Sequence, residues 1–89
     1  MKLTEKHIEL QKAILKVVDK QLKTNHPKET RETLQRLMAE GYTEKQAMDL
    51  IGHVVASEII SVIADGKRYD EIRYITALHA LPELPWPRQ

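Results

Sequence analysis

The chain contains no cysteine and no phenylalanine, and only one tryptophan, three tyrosines and three glycines. Without cysteine there can be no disulfide, no thiolate metal centre and no thiol nucleophile, which suits a reducing compartment. The shortage of aromatics leaves Leu, Ile, Val, Met and Ala to build a core. Neither sign of charge prevails: fourteen basic and thirteen acidic side chains leave a formal charge of +1, so no overall field steers the chain to nucleic acid or anionic lipid. No window approaches the roughly eighteen apolar residues of a membrane span. The opening "MKLTEKHIEL" carries charges where a signal peptide needs an apolar stretch. A cytoplasmic setting is expected. Also missing are a glycine-rich phosphate loop, an H-E-x-x-H pair and a serine in a nucleophile-elbow context. The four histidines, His7, His26, His53 and His79, are scattered over different segments.

What is present is helical. Eighty-nine residues, 42% of them apolar, fit one domain with one core, small enough for a partner chain to help. Period and punctuation predict four helices and no strand. The first, about residues 4 to 23, starts at Thr4 as N-cap and buries Leu10, Ile14, Leu15, Val18 and Leu22. "TNHPKET" ends it, because Pro27 suits the first turn of a new helix. The second, about 27 to 40, buries Leu34, Leu37 and Met38 and stops at Gly41.

In "GYTEKQA" Thr43 and Gln46 form a capping box, with Tyr42 and Ala47 at the staple positions. This third helix runs to about Ala64 and closes at Asp65-Gly66. It is apolar around more than half its circumference, reaching Ile60 and Ile63 on its flanks, and should be the central element. Gly52 and Ala56, four apart, let a neighbour approach closely. "KRYDEIRY" repeats the device, with Asp70 as cap and Tyr69 and Tyr74 as staple. The fourth helix, about 71 to 80, buries Ile72, Ile75 and Leu78. Short connections between such helices predict an all-α, compact antiparallel bundle of three longer helices and a short fourth, spanning 1–81. An extended Pro- and Trp-containing tail, 82–89, follows.

One residue interrupts the pattern. On the third helix Ala47, Met48, Ile51, Val54, Val55, Ile59 and Val62 share a side, and Glu58 falls near its middle. An acid there must be neutral, paired, metal-bound or less buried than its position suggests. Gln21, a histidine or a tyrosine hydroxyl would satisfy it and fix helix register. A structural network is the favoured role, ahead of a rim or dimer-interface position, with catalysis or metal binding last.

Other candidates are weaker. Asp49 and His53, four apart, could reach one metal ion, yet they point away from the apolar face, and an exposed ion pair is the better reading. Lys12, Lys16, Lys20 and Lys23 form a ladder on the first helix, interrupted by Glu5, Glu9 and Asp19. No aromatic is interleaved for base stacking, so a solvated face is preferred to a nucleic-acid surface. Trp86 either covers the bundle end or anchors into a second copy. The P-x-x-P of Pro82 and Pro85 is too common a pattern to assign.

The stretches "VVDKQL", "ETLQRLMAEGYTEKQAMDLIGHVVASEI" and "KRYDEIRYITALHALP" together resemble a bacterial family of small helical proteins catalogued as a domain of unknown function. The resemblance covers most of the chain. It implies histidine pairs on the first helix and at the start of the long one, an acid where Asp19 stands and acids near Glu58, a set suggesting a metal site. Here Gln11, Leu15, Lys45 and Asp49 occupy the histidine positions, so any such site is lost or heavily altered.

The reading is therefore a non-enzymatic interaction or structural module without a cofactor, self-associating as a homodimer through Trp86, Ile60 and Ile63, or binding an unidentified protein partner. The alternative is a metal-binding bundle using Glu58 with His7 or His79.

Overall fold

The computed structural model describes residues 5–84, with side chains from Glu9 onward. Four helices follow in order: α1 (Glu5–Thr24), α2 (Lys28–Ala39), α3 (Glu44–Ala64) and α4 (Glu71–Ala80), and no strand occurs among the described residues. With 12 residues, α2 is nearer in length to α4 at 10 than to α1 at 20.

The helix boundaries follow from local chemistry. Pro27 stands at the N-cap of α2, immediately before the first helical residue, with φ −73° and ψ 148°. At the other end Gly41 takes φ 108°, a conformation that a side chain would resist. The Tyr42 N–H then reaches the Leu37 carbonyl and the Gly41 N–H the Met38 carbonyl, both at 3.1 Å, a Schellman closure. α3 opens with the reciprocal capping box: the Gln46 N–H donates to Thr43 Oγ1 at 3.1 Å, and the Thr43 N–H to Gln46 Oε1 at 2.9 Å. Gly66, with φ 66°, closes it. Asp70 caps α4 by accepting from the Arg73 N–H at 3.1 Å.

α3 packs against each of the other three helices. Ile14 of α1 sits over Gly52, where a Cβ would come within 3.3 Å of the Ile14 Cγ2. Residues 11–15 of α1 accompany 45–56 of α3, and residues 17–21 accompany 55–63, so the two helices run in the same direction. The backbones of α1 and α4 keep apart, but side chains join them. The Tyr74 hydroxyl of α4 and the Thr30 hydroxyl of α2 both donate to Gln21 Oε1 of α1 at 2.8 Å.

The core contains Ile14, Val18, Leu37, Ala47, Ile51, Val54, Val55, Tyr74, Leu78 and Leu81. Several expectations are corrected. An aromatic, Tyr74, is the largest fully buried side chain, and no methionine among the described residues is fully buried. In α1, Leu10 and Leu15 are about half exposed and Leu22 only partly buried. In α2, Met38 faces solvent and Leu34 is half-buried, while Thr30 and Thr33 lie inside. In α4 the inner residues are Tyr74 and Leu78; Ile75 is half-buried and Ile72 is 78% exposed.

The expectation about membrane-length stretches also changes. α3 holds an eighteen-residue window of mean hydropathy 1.6, enough by length and composition to cross a membrane. Three helices pack on α3, yet only 28% of that window is buried, and Ile60, Val62 and Ile63 stay exposed. Past α4, Leu81 is buried and Leu84 packs on the core, while Pro85 and Trp86 lie outside the described residues.

Candidate functional site

Glu58 lies two turns before the end of α3, and Arg73 in the first turn of α4; only residues 65–70 separate the helices. That short connection brings the acid and the guanidinium together. Arg73 Nε donates to Glu58 Oε1 at 3.0 Å, and Nη2 donates to Oε2 at 2.6 Å. The Asp70 N–H donates to Oε2 at 3.3 Å, and Arg73 Nη2 also reaches the Arg68 carbonyl at 3.1 Å. One acid and one cation thus fasten α3, the connecting loop and α4 to each other. The Glu58 bond and charge, with Asp70, hold Arg73 above its ordinary range despite some desolvation.

The polar side chains expected around Glu58 divide into two clusters. The Tyr74 and Thr30 hydroxyls both donate to Gln21 Oε1, while Glu58 takes Arg73, which sequence reasoning missed. The available signal was spatial: a six-residue loop must set the end of α3 against the start of α4, and Arg73 is a cation in that first turn.

Fastening the loop shapes its surroundings. Tyr69 is held beside Tyr74, with ring centroids 6.4 Å apart and planes at 51°. Together with Val17 and Gln21 of α1 and Val55, Ile59, Val62 and Ile63 of α3, these rings wall a groove of about 300 Å³. The carboxylate of Glu58 and the amide oxygen of Gln21 are matched internally. Gln21 Oε1 accepts two hydroxyls, both Glu58 oxygens are engaged, and among the described residues no buried side-chain nitrogen or oxygen lacks a partner. Burial raises the Tyr74 hydroxyl above the usual tyrosine range. Burial, followed by Glu71, Glu58 and Asp70, raises Tyr69. The groove offers no paired acid and base and no nucleophile. It offers apolar walls.

No protein-family model matches this chain, and neither a curated protein nor a solved structure matches it. Function must therefore be argued from the geometry.

The remaining candidates lie elsewhere. Ile60 and Ile63 are 59% and 77% exposed, beside the groove. A second cleft, about 560 Å³, separates α1 from α3 nearer their amino ends. Gln11, Leu15, Lys45, Asp49 and His53 all line it. His53 Nδ1 donates to the Asp49 carbonyl at 2.7 Å. His79 is exposed in the last turn of α4, about 9 Å of helix rise beyond Arg73, and no hydrogen bond joins it to Glu58. The His7 side chain lies outside the described residues. Among the described residues no three His, Cys, Asp or Glu side chains gather to hold a metal ion. Lys12, Lys16 and Lys20 are exposed along α1, and Lys23 pairs with Asp19 at 2.9 Å.

Proposed function

We propose that this chain is a non-enzymatic interaction module that self-associates as a homodimer through the apolar groove and the adjoining surface of α3. The observation that carries the reading is the exposure of Val17 (39%), Ile60 (59%), Val62 (37%), Ile63 (77%) and Tyr69 (55%) in and beside that groove. Exposed apolar side chains gathered in this way mark interaction sites. A standard interface takes about 800 Å² from each partner, with an apolar centre and a polar rim. Lys67, Arg68 and Asp70, exposed on the adjacent loop, suit such a rim.

Charge supports pairing of like with like. The one ionic side chain in the groove wall, Glu58, is neutralised by Arg73 of the same chain, so two copies can approach face to face without juxtaposing like charges. The framework we assign to the module is an antiparallel bundle, and a cytoplasmic setting and membership of the resembled family belong to the same proposal.

Light scattering coupled to size exclusion tests it. A particle of twice the 10.3 kDa chain mass at micromolar concentration is expected; the single-chain mass throughout that range refutes the reading.

A further inference from the structure

We infer that the two copies exchange side chains, Ile63 of each entering the groove of the other beside a two-fold axis. This rests on the self-association proposed above and adds the identity of what fills the groove.

The groove specifies its occupant by what it lacks. The lone pairs of Gln21 Oε1 are used by Thr30 and Tyr74, Glu58 is held by Arg73 and the Asp70 N–H, and the exposed lining is almost wholly apolar. A polar ligand or charged peptide would surrender its hydration there without gaining equivalent bonds. An aliphatic side chain gives up nothing. A benzene-sized group occupies a cavity of about 150 Å³, so a groove of about 300 Å³ takes one isoleucine and part of a neighbour.

The second copy is favoured over a foreign chain because peg and hole lie on one patch. Ile63, at 77% the most exposed apolar side chain of the groove wall, stands at its rim, and Ile60 lies one turn before it. In a two-fold interface the same patch meets itself, so a peg beside a hole is matched twice in one association and the contact closes at two copies. The approach brings no unneutralised groove charge to the axis, and the exchange places the apolar surface where a dimer of standard size needs its centre.

The absence of cysteine from the chain allows a direct test. Val17→Cys and Ile63→Cys single variants, each checked by circular dichroism, are mixed in equal amounts and oxidised mildly, and the linked peptides are quantified by mass spectrometry. A disulfide needs Cα atoms about 4.4–6.8 Å apart. The exchange predicts 17-to-63 links several-fold in excess of 17-to-17 links, with 63-to-63 links also formed because Ile63 itself lines the groove beside the axis. Absence of the 17-to-63 link in a sample whose mass remains dimeric overturns the exchange and leaves self-association standing. Monomeric mass for the untreated wild type overturns both. Stoichiometric capture of an apolar small molecule that displaces the 17-to-63 link without changing the mass assigns the groove to that ligand and also overturns the exchange.

Discussion

The Arg73 guanidinium meets the Glu58 carboxylate along two parallel bonds, 3.0 Å and 2.6 Å long, from neighbouring helices. A planar cation on a planar anion fixes orientation as well as distance. The Glu58 side chain is only 10% exposed while that of Arg73 is 36% exposed, so the pair sits at the edge of the core with its cation within reach of water. Glu58→Gln removes the charge and sets an amide donor against a guanidinium. The melting temperature should fall, by less than for truncation of a core leucine, because Arg73 regains hydration. Arg73→Lys should not restore wild-type stability, since an ammonium cannot make the paired contact. Thermal unfolding followed by circular dichroism checks both; an unchanged melting temperature for Glu58→Gln would remove the lock.

Leu37 and Met38 are adjacent on α2 and both apolar, yet Leu37 is fully buried and Met38 is 43% exposed. Leu37→Ala should cost about 2–5 kcal/mol, and Met38→Ala about 0.5 kcal/mol or less. Urea denaturation of the two variants measures the contrast. Equal losses would mean that α2 is rotated from the orientation described.

On α3, Gly52 lies under Ile14 of α1. Gly52→Ala gains about 1 kcal/mol of helix propensity against a contact of 3.3 Å with Ile14 Cγ2, a side chain stiffened by its β-branch. The two effects should nearly cancel. Gly52→Leu must push the helices apart and should lose about 1–3 kcal/mol. A stabilised leucine variant, read by chemical denaturation, would contradict this packing.

Tyr74 and Tyr69 supply the pH dependence. Both hydroxyls are raised in the folded chain, chiefly by burial, above the ordinary value of 10.0. A group whose folded value exceeds its unfolded one contributes its full stabilisation below the unfolded value and loses it as pH rises through the folded one. The tyrosine contribution should therefore be constant up to about pH 10 and decline above it. Tyr74→Phe should flatten that alkaline decline while costing about 1 kcal/mol at neutral pH through the lost bond to Gln21. Urea midpoints from pH 8 to 11 test the slope.

The helix ends were legible because their chemistry is local. Thr43 with Gln46, Asp70 with the Arg73 N–H, and Gly41 after α2 each act within a few residues. The staple positions Tyr69 and Tyr74 likewise meet. The inward faces were less legible where a polar group takes an apolar place. Thr30 is buried because Gln21 accepts its hydroxyl across nine residues of chain, which hydropathy does not register. Ile72 was misplaced because a helix of 10 residues has too few turns to define its stripe. Glu58 stood out by its apolar neighbours, but its partner Arg73, fifteen residues away, depends on how two helices are set against each other. The groove has no sequence signature of its own, because its walls come from three helices and a loop.

Sedimentation equilibrium of the wild type beside Ile63→Asp tests the central claim most directly. The wild type should associate to twice 10.3 kDa across the micromolar range. The aspartate variant, altered at a side chain already 77% exposed, should keep its helical circular dichroism and sediment as a single chain, since an unpaired carboxylate cannot enter an apolar groove cheaply. A wild type that stays at the single-chain mass, or an aspartate variant that pairs as tightly as the wild type, would contradict the account.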